Sequence, residues 1–288
     1  MFDDPAYPSV PPPPREPSIE PMSFLAAVLW AFGAHFLFLS LGVFLTSTIG
    51  KLEHDKVVWV MSQMIVYLFT LFFMLRFYAP EARVRDLVGA RLSHPAMLLL
   101  GLVMGVASSY PAAWSLEKLR GFTDHNEPFQ LYTLLEQFFD AAMPERIVIA
   151  LSFAVIAPLA EELIFRGAIF TTTRKRYSQG QVIAFTSVLF AVIHVDSTTF
   201  AVFGTMGALL GYLRWWSGSL LPPLMLHIGF NAVPFVQLFQ LSEKPVTETP
   251  TSGQEALVGF TIVVMCAGLA HLTGSTRAAR AARRADVE

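Results

Sequence analysis

Cysteine and charged residues are both scarce in this 288-residue sequence. Its single cysteine, Cys266, excludes a disulfide framework within the chain and a metal site built from several cysteines. Charged residues make up 15% of the chain, whereas a soluble domain usually carries about a quarter. The formal net charge of −2 argues against a nucleic-acid partner. Because 54% of the residues are hydrophobic, the composition predicts a polytopic membrane protein.

The N-terminal segment 1–21 contains eight prolines and no long apolar run. Such a composition cannot bury a hydrophobic core, and it predicts a disordered, polyproline-like arm. No basic segment precedes an apolar one here, so the arm does not resemble a cleaved signal peptide. We expect a tether, with a ligand for a proline-recognition domain as the alternative.

Long apolar runs make up most of the remaining chain. A transmembrane helix needs about 20 mostly apolar residues, and eight segments approach that length, although the fifth and sixth are short. The segments are 23–49, 57–78, 95–116, 146–173, 181–195, 199–216, 220–240 and 255–273. Segment 127–144 places Phe and Leu among acidic residues at helical spacing, which predicts an amphipathic helix at the interface. The predicted fold is therefore all-α, with about eight transmembrane helices and one interfacial helix.

Basic residues fall mainly on one side of these predicted spans. If the N-terminus is cytoplasmic, all four basic clusters lie in cytoplasmic loops or in the tail, as the positive-inside rule requires. The clusters are Arg83, Arg85 and Arg91; Arg174, Lys175 and Arg176; Arg214; and Arg277, Arg280, Arg283 and Arg284. Both termini are thus predicted to be cytoplasmic, and the basic tail is predicted to bind anionic lipid.

Three ionisable residues interrupt the fourth apolar segment, namely Glu161, Glu162 and Arg166. Each such group costs roughly 3 kcal/mol or more inside a membrane, which makes it a functional candidate. Glu162 and Arg166 are four residues apart, so they share a helix face and can form an ion pair. Glu161 points about 100° away from Glu162. One carboxylate is therefore predicted to be structural, and the other to be free for chemistry.

Polar residues also interrupt the fifth and seventh apolar segments. The fifth contains His194, and the seventh contains His227 with Asn231 four positions later, on the same helix face. We counted depth from the basic ends of the helices at about 1.5 Å per residue. On that scale Glu161, His194 and Asn231 lie roughly 20 Å deep and His227 roughly 14 Å. We therefore predict that these side chains meet at one level.

Such a cluster has a direct chemical use. A carboxylate and an imidazole together can hold and deprotonate a water molecule, and His and Asn side chains can donate hydrogen bonds to a developing oxyanion. Structural interpretations stay open at this point, because an ion pair can simply neutralise charge and a His or Asn can simply join two helices. Glu and His at mid-membrane also form proton relays.

Three motifs in the second half of the chain resemble those of one known family. "EELIFR" (161–166) fits EExxxR, "FAVIH" (190–194) fits FxxxH, and "HIGFN" (227–231) fits HxxxN. In this order they resemble the CPBP family, which contains type II CAAX prenyl endopeptidases and bacteriocin-processing or immunity proteins. The resemblance covers residues 145–240, and it implies an intramembrane endopeptidase of the eight-helix glutamate-protease type.

The resemblance also implies a role for each motif residue. Glu161 would be the catalytic base, and His194 would help to hold the water. His227 and Asn231 would stabilise the oxyanion. The residues that would support the site are Glu162, Arg166 and Phe190.

The resemblance leaves metal dependence open. Glu161, His194 and His227 offer three ligands of the types that catalytic zinc uses. The chain has no H-E-x-x-H helix, however, and one Glu cannot easily serve as both ligand and base. We predict that no cofactor is required; the alternative is one divalent metal ion such as zinc.

These inferences divide the chain into four parts. They are the arm at 1–21, the N-terminal transmembrane helices with the interfacial helix at 22–144, a catalytic CPBP-like core at 145–240, and the last transmembrane helix with a basic cytoplasmic tail at 241–288.

The expected reaction is hydrolysis of a peptide bond in a membrane-associated substrate that is prenylated (CAAX-type) or otherwise lipid-tethered. The expected partners are this peptide or protein substrate and the lipid bilayer of a prokaryotic inner membrane, with no nucleic acid. Two alternatives belong to other classes. One is a non-catalytic binding or immunity protein that uses the polar cluster structurally, and the other is a proton-coupled transporter, for which no inverted repeat is visible.

Overall fold

The computed structural model is built from α-helices. It describes residues 18–49, 56–91, 93–122, 137–194, 199–241 and 251–285, and these ranges contain no β-strand. The main helices are α1 (Phe24–Ile49), α2 (Lys56–Tyr78), α3 (Val84–Val88), α4 (Pro95–Phe122), α5 (Met143–Thr173), α6 (Gln179–Val192), α7 (Phe200–Ser217), α8 (Leu221–Gln240) and α9 (Gly253–Ala285).

Among the described residues, six helices are long and apolar enough to cross a membrane: α1, α2, α4, α5, α8 and α9. The other two predicted spans correspond to α6 and α7. α6 has 14 residues, and at about 1.5 Å per residue it is shorter than a hydrocarbon core of about 30 Å. α7 has 18 residues and is less apolar, because it contains Tyr212, Arg214 and two tryptophans. The structure confirms an all-α polytopic membrane protein but not the predicted count of eight spans.

The outer surface of the bundle is strongly apolar. On α1, Phe36 is 70% exposed, and on α9, Met265 is 64% exposed, with many Leu, Val and Phe side chains around them. Soluble proteins rarely leave such extended apolar surfaces in water. These faces therefore suit contact with lipid, and the chain is an integral membrane protein.

Two large clusters of buried apolar side chains hold the helices together. The first joins α1, α2, α5 and α6, and it includes Tyr67, Phe165 and Phe190. The second joins α4, α7, α8 and α9 around Met104 and Leu226. α5 contacts both α2 and α8. Its side chains therefore meet residues from both halves of the bundle.

The backbone of α5 is irregular in two places. Residues Ser152–Ile156 and Leu163–Ile169 form π-helical turns on either side of a regular segment, Ala157–Glu162. π-Helical turns are rare, and they occur frequently at functional sites. Here they flank the two adjacent glutamates, and the second of them contains Arg166.

Two predicted segments lie largely outside the described residues. Of the proline-rich arm only the end is described, and there the backbone N–H of Glu20 donates to the carbonyl of Tyr78 at 2.7 Å. Of the predicted interfacial helix (127–144), residues 137–144 are described: residues 137–140 are helical, and residues 143–144 already belong to α5. Phe138 in this piece is fully buried, with its ring 5.0 Å from that of Phe239. Both described ends are thus attached to the bundle.

Candidate active site

The two adjacent glutamates lie at the end of the regular segment of α5. Glu162 is fully buried, and Glu161 is 8% exposed. Because neighbouring residues on a helix point about 100° apart, the two carboxylates reach different partners. Glu162 faces Arg166 on its own helix, whereas Glu161 faces α2 and α8.

Glu162 and Arg166 form the ion pair that their spacing predicts. Arg166 Nη1 donates to Glu162 Oε1 at 3.0 Å, and both side chains are fully buried. A charged pair without access to water needs further hydrogen bonds to offset its lost hydration. Arg166 Nη2 supplies one of them by donating to the carbonyl of Gly207 on α7 at 3.2 Å. The pair therefore joins α5 to α7.

The motif residue Phe190 lies beneath this pair. Its ring centroid is 4.4 Å from the guanidinium carbon of Arg166, a distance at which the ring face attracts the cation. The same ring lies 4.7 Å from the His194 ring and 5.8 Å from the His227 ring. Phe190 thus contacts three of the predicted site residues, as a supporting residue would.

His227 reaches α5 from α8 and lies between the two carboxylates. Its Nδ1 is 3.1 Å from Glu162 Oε1, and its Nε2 is 3.7 Å from Glu161 Oε2. The first distance is a hydrogen bond and the second is too long for one. His227 is 5% exposed, so bulk water has little access to this arrangement. The structure therefore brings Glu161, Glu162 and His227 together from two helices.

His194 lies just after the end of α6. Its Nδ1 is 2.7 Å from the carbonyl oxygen of Phe190. Because a carbonyl oxygen only accepts, this Nδ1 carries the proton and Nε2 is left with a lone pair. Electrostatic interactions connect His194 with Glu161 and with His227, and its ring stacks on Phe203 at 4.0 Å. His194 therefore lies beside the cluster, while His227 makes the direct contacts.

Asn231 lies one turn after His227 on α8. Its side-chain Nδ2 donates to the carbonyl of Phe153, in the first π-helical turn of α5, at 3.1 Å. One of its two amide hydrogens thus forms the hydrogen bond that joins α8 to α5. The second amide hydrogen is not used by this hydrogen bond. Both the structural interpretation and the catalytic one fit this placement.

Gln63 on α2 is a site residue that the motifs do not indicate. Its Nε2 donates to Glu161 Oε1 at 3.1 Å. This bond comes from the N-terminal part of the chain, where no family resemblance was found. A signal was nevertheless present, because an amide within an apolar span is a polar group that can donate a hydrogen bond to a neighbouring helix. Glu161 is therefore held by α2 on one side and faces His227 on the other.

His35 on α1 is a further titratable residue near the cluster. It is near the middle of the long helix α1, and electrostatic interactions connect it with Glu161 and His194. α1 packs beside α2, the helix that contains Gln63.

The zinc alternative requires three donor side chains around one metal ion. Among the described residues, no group of three His, Cys, Asp or Glu side chains is arranged to hold a metal ion. Both nitrogens of His227 face carboxylate oxygens. That no cofactor is required stays a prediction, which is tested below with chelators.

Comparison with known proteins matches the region that contains all three motifs. Residues 143–233 match the family model described as "Type II CAAX prenyl endopeptidase Rce1-like". An Escherichia coli protein described as "Uncharacterized 24.3 kDa protein" is 33% identical over 107 residues, which cover 35% of this chain and 48% of that protein. A Staphylococcus aureus (strain USA300) protein described as "Membrane-embedded CAAX protease MroQ" is 31% identical over 94 residues, which cover 31% of this chain and 37% of that protein.

The chain thus spans less than half the length of these two curated relatives. No solved structure matches it at a significant level. The matched region includes the two glutamates, Arg166, His194, His227 and Asn231. The predicted family resemblance is confirmed for this part of the chain, because residues 143–233 match the model of Rce1-like type II CAAX prenyl endopeptidases and the chain is similar to a protein described as a CAAX protease.

Proposed function

We propose that the chain is an intramembrane endopeptidase that hydrolyses a peptide bond in a membrane-associated substrate, using a water molecule activated by Glu161. The family of residues 143–233 supports the general activity. One observation supports the catalytic assignment above all others. Glu161 Oε2 and His227 Nε2 approach to 3.7 Å from two different helices of the membrane bundle.

The hydrogen bonding of His227 favours a water molecule between Glu161 Oε2 and His227 Nε2. The Glu162 carboxylate accepts from His227 Nδ1, so in neutral His227 the proton is on Nδ1 and Nε2 is an acceptor. Nε2 then faces a second acceptor, Glu161 Oε2. Two facing acceptors need a donor between them. A water molecule with bonds of about 2.8 Å to each satisfies both.

Glu162 and Arg166 have a positioning role in this proposal. Glu162 Oε1 accepts from both Arg166 and His227, and this fixes the ring orientation and the tautomer of His227. Arg166 neutralises Glu162, which leaves Glu161 as the carboxylate that can take a proton from water. The distinction between a structural and a reactive glutamate therefore rests on which of them is paired with the arginine.

In the proposed reaction, the water oxygen attacks the carbonyl carbon of the scissile peptide bond while Glu161 takes one water proton. The carbonyl oxygen becomes an oxyanion, to which the remaining amide N–H of Asn231 donates a hydrogen bond. The C–N bond then breaks, and Glu161 passes its proton to the departing nitrogen. The products are a carboxylic acid and an amine, and Glu161 is again ionised. His194, beside the cluster, would help to hold the water.

The substrate class follows from where the site lies. Glu161 is in α5, which is long and apolar enough to cross the membrane, so a substrate has to reach it from the bilayer or its surface. A lipid-tethered peptide meets that requirement. Because the family model is described as a CAAX prenyl endopeptidase, a prenylated peptide is the first candidate within this class. The basic loops favour a topology with both termini in the cytoplasm, and we propose a prokaryotic inner membrane as the location.

The proposal is tested with the purified full-length protein reconstituted in lipid vesicles. The substrate is a fluorogenic CAAX peptide carrying a farnesyl group, and the control is the same peptide without the farnesyl group. We expect the farnesylated peptide to be cleaved and the control to be cleaved much more slowly. If neither this peptide nor an acylated version is cleaved, the non-catalytic binding or immunity alternative replaces the proposal.

A substitution in α2 tests how Glu161 is positioned. Gln63→Leu removes the hydrogen bond to Glu161 Oε1 while keeping a side chain of similar size. We expect kcat to fall about tenfold, the effect of losing one hydrogen bond, with little change in KM, because Gln63 orients the base and does not bind substrate. The control is Gln237→Leu on the exposed face of α8. A rise in KM with unchanged kcat would assign Gln63 to substrate binding instead.

Chelators test the prediction that no cofactor is required. Because no group of three His, Cys, Asp or Glu side chains among the described residues is arranged to hold a metal ion, we expect EDTA and 1,10-phenanthroline to change the rate of peptide cleavage by less than about twofold, a difference below 0.5 kcal/mol in the barrier. A large loss of activity that added zinc restores would contradict this prediction and would favour the divalent-metal alternative.

A further inference from the structure

A second polar site lies at the basic end of the bundle, apart from the glutamate cluster. It is a cavity of about 370 Å³ lined by the loop that follows α3, by the end of α5 and by the end of α7. Four of its lining residues are cations, namely Arg91, Arg174, Lys175 and Arg214. Because Arg174 directly follows the membrane-spanning residues of α5, the cavity lies at the level of the lipid headgroups.

Arg214 is the central group of this cavity. It is only 1% exposed. Its Nε donates to the backbone carbonyl of Arg166 at 2.8 Å, and its Nη2 donates to the hydroxyl of Thr171 at 3.0 Å. Its Nη1 is buried and has no hydrogen-bond partner among the described residues. A buried guanidinium without a carboxylate partner is costly unless an anion completes its hydrogen bonds.

The backbone around Arg214 is shaped to leave room for its guanidinium. Gly89 has φ +66, a left-handed conformation that favours glycine, and a Cβ at this position would overlap Arg214 Nη2. The Gly89 carbonyl accepts from the backbone N–H of Leu220 at 3.0 Å, and the Arg91 carbonyl accepts from the hydroxyl of Ser219 at 2.6 Å. The two loops that form the wall are thus joined to each other.

The charge of this cavity is not balanced by its lining. Asp86 is the carboxylate among the described lining residues, and it is already paired with Arg83 at 3.2 Å and lies 3.9 Å from Arg85. Burial and the nearby positive charge of Arg91 lower the pKa of Arg174 from its usual range. These basic groups therefore repel each other, and a bound anion would relieve that repulsion.

We propose that this cavity binds a phosphate group through Arg214, Lys175 and Arg91. A phosphate offers several acceptor oxygens, and the planar guanidinium of arginine matches them with paired donors. Two sources present this chemistry, an anionic phospholipid headgroup and a free phosphate ion. Basic pockets between membrane helices commonly bind lipid headgroups. The proposal does not depend on the proposed protease activity, because it concerns a different set of side chains.

The test measures binding to the purified full-length protein in a neutral detergent. Isothermal titration calorimetry is performed with inorganic phosphate, with sodium chloride at matched ionic strength as the blank. It is repeated with short-chain phosphatidylglycerol, with short-chain phosphatidylcholine as the uncharged comparison. We expect phosphatidylglycerol, inorganic phosphate or both to bind more tightly than their comparison compounds. Binding of the lipid alone would identify a headgroup as the source, and binding of both would identify the phosphate group itself.

Substitutions then locate the bound group. Lys175→Gln is expected to weaken binding about tenfold, the effect of one charge-assisted hydrogen bond. Arg214→Lys keeps the charge but removes the guanidinium and with it the unpartnered Nη1 donor, and it is expected to weaken binding by at least as much. The matched control is Arg176→Gln, because Arg176 lies in the same loop but does not line the cavity. The affinity of the Arg176→Gln variant for the same ligand should stay within about twofold of that of the unsubstituted protein.

Two results would overturn the proposal. One is that neither inorganic phosphate nor phosphatidylglycerol binds above its comparison compound. The other is that Lys175→Gln and Arg176→Gln weaken binding equally, since binding would then reflect general surface charge. If Arg214→Lys fails to fold, the comparison of Lys175→Gln with Arg176→Gln still decides the question.

Discussion

Glu161→Gln is expected to abolish most peptide cleavage while leaving the fold intact. The substitution keeps the size and shape of the side chain and the oxygen that accepts from Gln63. It removes the carboxylate that takes a proton from water, a contribution of about 10²–10⁴ in rate. The rate is measured with the farnesylated fluorogenic peptide, and folding is measured by the thermal unfolding midpoint in detergent.

The control for this experiment is Glu81→Gln, which makes the same chemical change on an exposed residue outside the helices. Its cleavage rate should equal that of the unsubstituted protein. If Glu161→Gln cleaves the peptide at the unsubstituted rate, Glu161 is not the base. If Glu162→Gln instead causes the larger loss and Glu161→Gln does not, the roles of the two glutamates are reversed.

Arg166→Met is expected to destabilise the protein strongly. The substitution leaves the fully buried Glu162 without its cation and removes the hydrogen bond to Gly207. Breaking a buried ion pair by removing one partner typically costs about 3–5 kcal/mol, because an uncompensated charge stays buried. Equilibrium unfolding in mixed detergent micelles measures the free energy of unfolding. Arg176→Met, at an exposed position, should change this free energy by less than about 0.5 kcal/mol.

A double substitution separates stability from activity. Glu162→Gln together with Arg166→Met removes both charges. No uncompensated charge then stays buried, so part of the stability that Arg166→Met loses should return. Activity should stay low, because His227 Nδ1 loses the carboxylate that holds its orientation. If the double variant regains stability and full activity, the pair has no positioning role. If Arg166→Met alone does not destabilise the protein, the pair is not a buried ion pair in the membrane.

The sequence was sufficient to predict most of the membrane helices and the Glu162–Arg166 pair within α5. Long apolar runs predict membrane helices because few other segments tolerate them, and the spacing of four between Glu162 and Arg166 predicts a pair because both lie on one helix. Agreement in depth also predicted that groups from different helices meet. These inferences depend on helical period and rise, which vary little between proteins.

Contacts between helices were harder to predict from the sequence. The motifs could not show which histidine faces Glu161 directly. His227 does so more directly than His194 because of the way α8 packs against α5 and because of the π-helical turns within α5. The bond from Gln63 was missed because α2 was interpreted only as an apolar span. The number of spans was uncertain for a similar reason. α6 is shorter than the six long apolar helices, and α7 is more polar than they are.

The most direct measurement of the central claim is an experimental structure of the unliganded protein in a lipid nanodisc, at a resolution that shows ordered water. We expect one solvent peak within about 3 Å of both Glu161 Oε2 and His227 Nε2, with Glu162 hydrogen-bonded to His227 Nδ1 and to Arg166. A map in which Glu161 and His227 are more than about 10 Å apart, or in which no solvent contacts either of them, would contradict it.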